Sequence, residues 1–418
     1  MNPTPEYPKV VLAHPTGNQF FRHLGRALRD AKILAEICTS IDWRHDGPLG
    51  KLLPRTMAAE LGRRSFTDEL NVSVRSHPWR EAARLAATRL GWEALVRHER
   101  GPFSVDAVYR DFDAWLARRL PKITGAGIAY AYEDAAEATF RAAGKLGWKK
   151  IYDLPITHWK TSRRLLEEEA VRWPEWEPTL VGTRDSPEKL ERKTRELTLA
   201  DMIVCPSRFV ADSLPAHEVG VRRVLVAPFG SPHVDATPAP PRKRPLPLRV
   251  LFVGSMTQRK GLADLFAAVR LLPPRTIELF VLGTPLVEPA FYRRAFPNFV
   301  HERSRPHAEV LDFMRTCDVF CLPSIVEGRA LVVQEAMSMG LPAIVTPHTG
   351  CDDVVVDGRS GFVVPIRAPE AIAAKLSWLA EHPTEREEFS ASARVAARAF
   401  TWEKYGATLV DALARGGR

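Results

Sequence analysis

No apolar run in this 418-residue sequence approaches the ~18 residues that a membrane-crossing helix requires. The start does not read as a leader either: Met1 to Pro8 is proline-rich and runs straight into the short apolar stretch Lys9 to Ala13. These two absences predict a cytosolic protein. Cysteine is also scarce, with Cys38, Cys205, Cys317, Cys321 and Cys351 making five. An odd number without paired spacing argues against a disulfide framework. Cys317 and Cys321 lie in C-D-V-F-C-L-P, a buried-strand pattern with no nearby His/Cys pair to complete a zinc set, so core thiols are expected. Missing too are zinc-finger spacing, an aromatic RNA-binding strand and a basic zipper, so no nucleic-acid partner is expected. Neither a P-loop nor a G-x-G-x-x-G fingerprint occurs, which argues against ATPase and dehydrogenase readings.

What is present is a chain longer than one hydrophobic core usually serves, with 45% hydrophobic residues, so two domains are expected. The net charge is +9. Between Arg22 and Lys122 there are 19 Lys/Arg against 13 Asp/Glu, which puts most of the surplus in the first domain. Such a surface is either a solvated arginine-rich face or one that meets anionic lipid or an anionic small molecule.

Strand and helix patterns alternate along the chain. The first strand, Lys9 to Ala13, is closed by His14-Pro15-Thr16-Gly17-Asn18, and Leu24, Leu28 and Ala31 then fall on one helical face. Residues 66 to 100 read as one or two arginine-rich amphipathic helices broken at Pro78. Further strands are expected at 127–132, 150–154 and 202–205, with a helix at 134–146 and a highly charged helix over 161–200. Ala236 to Pro247 carries five prolines, too many for a packed element, and separates 1–235 from 248–398. The second half restarts the alternation, with strands at 249–253, 277–282, 319–322, 343–346 and 362–364, and helices at 262–272, 308–315 and 331–339. The predicted class is therefore α/β, with two Rossmann-like, doubly wound sheets. The last segment, 399–418, is helical and is expected to pack back on the first domain.

Ligands of open parallel sheets bind beyond the carboxyl ends of the strands. Three loops of the second half leave such ends. Gly254-Ser255-Met256-Thr257-Gln258-Arg259-Lys260-Gly261 offers backbone amides, two cations and a following helix, a suitable seat for a diphosphate or simply an exposed turn. The loop from Pro323 carries Glu327, then Gly328, Arg329, Ala330 and Leu331 opening a helix that contains Glu335. A carboxylate accepts hydrogen bonds from neighbouring hydroxyls, which suits sugar and ribose, while the amides of 328–331 suit a phosphate. The bland alternatives are a helix cap for Glu327 and an arginine-paired helix carboxylate for Glu335. The third loop, Thr346 to Asp353, reads as a turn in which Asp352 caps a helix.

P-S-x-x-E-G-x-x-L-x-x-x-E-A-M-x-x-G-x-P, from Pro323 to Pro342, resembles the signature of glycosyltransferase family four, and V-G-x-x-x-x-R-K-G from Val253 to Gly261 stands at that family's spacing. Val354 to Pro365 and Ala200 to Val210 are similar to further family segments. The resemblance implies a GT-B architecture, with two domains facing each other across a cleft, a nucleotide-sugar donor held mainly by the second domain, and no metal or other cofactor. It implies Glu335 on the ribose hydroxyls, Glu327 on the donor sugar, Lys260 with Arg259 on the diphosphate, and transfer with retention of anomeric configuration. Gly17 matches a tight first-domain loop where small size admits the substrate.

The pattern departs from the family in three places. Ser255 stands where many relatives have arginine, so Arg259 is the candidate replacement. Gly328-Arg329-Ala330-Leu331 replaces Gly-Phe-Gly-Leu, which offers the Arg329 guanidinium to the phosphates, the sugar or solvent. Tyr130-Ala131-Tyr132-Glu133 stands where relatives have H-x-H-E, making Tyr132 and Glu133 candidates for first-domain site residues, with His158 as a competitor. A core role is the plain alternative for Tyr132 and a loop role for His158. The expected acceptor is an envelope polysaccharide or lipid-linked glycan, with peripheral contact to anionic membrane. An epimerase or phosphorylase of the same fold, or a catalytically silent sugar-nucleotide binder, remain the competing readings.

Overall fold

The structure is a computed structural model that describes residues 8–44, 62, 64–70, 72–220, 222–232 and 247–415. All but the last residue of the proline-rich segment 236–247 lies outside the described residues.

The first half forms a parallel sheet of β1 (Lys9–Ala13), β2 (Leu34–Thr39), β3 (Val74–Ser76), β4 (Ala126–Tyr132), β5 (Lys149–Asp153), β6 (Met202–Cys205) and β7 (Arg223–Val226), in the order β3-β2-β1-β4-β5-β6-β7. The second half forms another from β8 (Leu248–Val253), β9 (Ile277–Leu282), β10 (Phe299–Glu302), β11 (Val319–Leu322), β12 (Ala343–Val345) and β13 (Gly361–Val363), in the order β10-β9-β8-β11-β12-β13. Helices cover both faces of a parallel sheet, so its central strands are apolar on both sides; β11, V-F-C-L, is wholly buried. All five cysteines are free and buried, as core thiols are.

Both sheets reverse strand order at their middle, between β1 and β4 and between β8 and β11. Crevices open at such reversals, because the following connections leave to opposite sides. The loop 254–261 after β8 and the loop 323–330 after β11 thus lie side by side.

The helix Gln19–Asp30 starts at Asn18, whose Oδ1 accepts Phe21 N–H at 2.8 Å. It buries Phe21, Leu24 and Leu28. Against it lies the helix Trp402–Arg415, which places Trp402, Tyr405, Leu409, Ala412 and Leu413 in the first-domain core. Burying each large member of this row contributes roughly 1.5–3 kcal/mol, enough to fasten the end of the chain across the other half.

Several expected elements are corrected. Residues 66–100 hold the short helix Thr67–Leu70, the edge strand β3, the helix Trp79–Arg89 and the turn Glu93–Val96. The charged stretch 161–200 is two helices, Trp159–Arg172 and Pro187–Leu199, because Pro174 and Pro178 interrupt the pattern with 3-10 turns. Those turns cross to the second domain, where Trp176 joins its core and Thr257 Oγ1 donates to Thr179 O at 2.7 Å. No helix begins at Asp352, which is exposed in a turn. The strands β2, β3, β7 and β10 and the helix Val105–Arg119 are additions to the sequence pattern.

Candidate functional site

The two loops at the second switch point bring their charges together. Lys260 Nζ stands 2.5 Å from Glu327 Oε1, and Arg259 Nη1 is 3.1 Å from the same oxygen. Gly254 supports this arrangement: a Cβ there would meet the Lys260 stem at 2.8 Å. Burial pushes the Glu327 carboxyl upward, but Lys260 and then Arg259 outweigh it and bring its pKa down to about 2. The group is ionised throughout the physiological range.

A cleft of about 870 Å³ opens beside this cluster and is walled by both domains. The second domain supplies Gly254, Lys260, Glu327, Gly328 and Glu335 among others; the first supplies Phe20, Pro155, Ile156 and Phe229. Glu335, inside the helix Leu331–Ser338, reaches His307 Nε2 at 2.9 Å. The hydrogen bond that Glu335 accepts raises the His307 pKa, against a smaller effect of burial. The cleft therefore holds two carboxylates, each with a cationic or protonatable partner, around a lysine ammonium.

The domains touch at the Glu327 loop itself. Thr157 Oγ1 donates to Glu327 O at 2.5 Å and Ser207 Oγ to Gly328 O at 2.6 Å. A Cβ on Gly328 would come within 1.8 Å of Pro155 O, so only glycine permits this approach. Gln334, on the next helix, donates to Phe229 O and Ser231 Oγ, both at 2.9 Å. Phe229 in turn stacks on Phe20 with ring centroids 4.6 Å apart.

Other sequence candidates stand differently. Ser255 is half-buried and does not line the cleft, and Arg259 sits behind Glu327 with a second bond to Val326 O at 2.8 Å. Ala330 and Leu331 line the cleft at the helix start. Arg329 contributes to the wall, but its guanidinium is not turned to solvent. It is buried, donates to Gln334 Oε1 at 2.7 Å and Gly350 O at 3.0 Å, pairs with Asp353 at 2.8 Å and lies 4.8 Å from the Phe400 ring centroid.

In the first domain the polar candidates are turned inward. Gly17 has φ +66°, and the space beside its Cα is filled by Phe66, 2.2 Å from where a Cβ would stand. Its smallness therefore admits Phe66, and Phe20 reaches the cleft instead. Tyr132 is buried against His14, with ring centroids 4.7 Å apart. Burial lowers the His14 pKa to about 3. Glu133 lies 3.6 Å from Lys193; burial raises its pKa to about 7, with Lys193 opposing. His158 begins the helix Trp159–Arg172, faces Glu218 at 3.6 Å, and is lowered to about 3 by burial and then by Lys160. None of Gly17, Tyr132, Glu133 or His158 lines the cleft.

Sequence reasoning missed Phe20, Phe229, Pro155, Ile156, Arg305 and His307. The available signal for the last two was R-P-H just ahead of a helical pattern, beyond a strand that was itself unrecognised. Among the described residues, one group has the ligand types and spacing for a metal, namely His98, Glu99 and Asp185. It lies away from the cleft, and Lys189 already pairs with Asp185 at 2.9 Å.

Two parallel α/β domains closing on a charged crevice define a GT-B protein. Residues 235–396 match the family model described as glycosyl transferases group 1. D-inositol 3-phosphate glycosyltransferase of Xylanimonas cellulosilytica is 27% identical over 310 residues, covering 68% of this chain and 72% of that one. The amylovoran biosynthesis glycosyltransferase AmsK of Erwinia amylovora is 27% identical over 202 residues, covering 44% of this chain and 48% of that one. Sucrose-phosphate synthase from Thermosynechococcus elongatus has a similar fold, with a TM-score of 0.61 at 16% identity and 98% of each chain covered. Anabaena HepE in complex with UDP has a TM-score of 0.62 at 13% identity, covering 98% of this chain and 100% of that one. These similarities support a group 1, family-four-like glycosyltransferase of the GT-B type.

Proposed function

We propose that the chain moves a hexose-type sugar from a nucleoside diphosphate sugar to an envelope polysaccharide or lipid-linked glycan, with retention and without a metal. The observation that carries this is the convergence of Lys260, Glu327 and Glu335 on one interdomain cleft. On donor binding the Lys260 ammonium turns from Glu327 to the diphosphate, and Glu327 becomes free to accept from the donor sugar's hydroxyls. Glu335 exchanges His307 for the ribose hydroxyls. Charge builds on the departing diphosphate as the glycosidic bond breaks, so a fixed ammonium stabilises the transition state more than the ground state. With the Lys260 ammonium in the cleft to meet that charge, transfer is proposed to proceed without a divalent ion. The UDP bound to HepE and the phosphorylated acceptor in the name of the Xylanimonas relative favour a nucleotide donor and an anionic acceptor. Such an acceptor also fits the basic first domain, a cytoplasmic location and contact with an anionic membrane.

The test is a thermal-shift panel of UDP-, GDP- and ADP-sugars, followed by transfer with the donor that stabilises the protein, in buffer containing a chelator. A shift with one base class, and product of the donor's own anomeric configuration, are expected. Absence of stabilisation by every donor would reject the reading, and inversion or strict metal dependence would reject its mechanism.

A further inference from the structure

A helix on a protein surface ordinarily turns polar side chains outward. The helix Trp79–Arg89 turns an apolar row outward beside its exposed polar residues Thr88 and Arg89. Its exposed positions include Trp79, Ala82 and Ala86, and Leu90 continues the row. Trp79 and Leu90 are three helical turns apart and so share a face, about 16 Å from end to end. Trp79 is 76% exposed, Leu90 59% and Trp92 55%, three large apolar side chains left in water within one short stretch.

The charges around this row are equally one-sided. Arg89, Arg97 and Arg100 are exposed and have no ion-pair partner among the described residues. Of the nearby carboxylates, Glu81 is buried and taken by Arg64 at 2.5 Å and Arg84 at 2.6 Å, and Glu99 accepts Ser186 N–H at 3.0 Å. That leaves Glu93 as the exposed acid between 79 and 100. On the helix Trp159–Arg172, by contrast, Arg163 and Arg164 are each matched by a glutamate one turn on.

We propose that this face seats the protein on an anionic lipid surface. Tryptophan and leucine enter the boundary between headgroups and acyl chains, where an indole keeps its polar edge wet, while arginines bind the lipid phosphates. Neither wall of the cleft includes the row, and its large side chains are left to solvent, as a headgroup boundary requires. Trp79 comes three residues after the end of β3, and the helix then carries the row away from that strand end. The seat is independent of the chemistry proposed for the cleft.

The experiment is cosedimentation of the full chain with phosphatidylcholine vesicles, with and without phosphatidylglycerol. Binding to the anionic vesicles alone is expected. Replacing Arg89, Arg97 and Arg100 together by Gln should weaken it on the order of 100-fold, from roughly fivefold per arginine near an anionic surface. Trp79→Ser with Trp92→Ser should remove the part that survives high salt. Melting temperature and donor-induced shift, read on the same variants, should not change. Absent binding, equal binding to neutral vesicles, or variants that bind like the parent would overturn the proposal. A dimer that dissociates on these substitutions would assign the face to a second copy instead.

Discussion

The rims of the two sheets face each other across one cleft, yet they use their polar side chains in opposite ways. On the second rim, Lys260, Glu327 and Glu335 line the opening and carry charge. On the first, Tyr132, Glu133 and His158 are turned away from it, and what reaches the cleft is Phe20, Pro155, Ile156 and Phe229. One wall is electrostatic and the other is a shape. A donor with two phosphates needs the first kind of wall, whereas an acceptor can be aligned by exclusion and packing.

The largest effect expected from breaking this contrast is at Lys260. Lys260→Ala should lower kcat/KM for transfer by roughly 100- to 1000-fold, the size found on removing one preorganised charge-stabilising donor. Tyr132→Phe, behind the first wall, should change it little. An equal loss in both variants would dissolve the distinction between the walls.

Arg329 sharpens it from the other direction, since it belongs to the charged loop but behaves as an interior residue. Arg329→Ala leaves Asp353, Gln334 and Gly350 without their donor, and a cost of about 2–3 kcal/mol in unfolding stability is expected. Urea titration measures this, and kcat should stay near the parent value. A large fall in kcat with unchanged stability would return the guanidinium to the phosphates.

Third comes the interior of the first wall. Tyr130 Oη donates to Asp153 Oδ2 at 2.5 Å, and Tyr132 and Tyr405 close around the same carboxyl. Burial raises its pKa to about 7 although Tyr130 and Tyr132 oppose. The unfolded chain therefore releases this proton near its ordinary value of 3.8 and the folded chain near 7. Stability falls as pH rises between those values and is level above them. Asp153→Asn should flatten part of that fall, by a few degrees in melting temperature between pH 5 and 8. Glu133 works in the same direction and will leave a residual slope.

These cases also divide what was legible in the sequence from what was not. The run from Pro323 to Pro342 was readable because strand, loop and helix are contiguous, and its partner loop after β8 is placed beside it by strand order alone. The alternation that marks β8, β9 and β11 was equally plain, while β3 and β10 are too short and too polar to announce themselves. Arg329 was ambiguous because Asp353 and Phe400, which hold it, come from later turns. Tyr132 was ambiguous for a similar reason: Tyr405, which seals its surroundings, arrives on the last helix. Gly17 showed the need for a small residue correctly, but Phe66, which fills the space, is far along the chain. Local motifs reveal chemistry; which way a side chain faces is decided by segments that pack later.

The smallest effect belongs to His307, which lies within the charged wall yet competes with the ligand. Its imidazolium pairs with Glu335, and the pair is strongest when the ring is protonated, because the carboxylate raises its pKa from 6.5. The contact is therefore fully present below pH 6.5 and weakens as pH rises through the raised value. Arg305 stands nearby but is held by Glu302, and Lys260 faces Glu327, so neither replaces the imidazole at Glu335. If Glu335 must receive the ribose, donor KM should fall by a few-fold as pH rises across this range, while kcat follows its own profile. The ring is half in solvent, which limits the pair to the modest strength of exposed ion pairs and keeps the change small. In His307→Ala the KM should be flat and low across the same range. A KM that keeps its pH dependence in that variant would show that Glu335 gives up nothing to bind the donor.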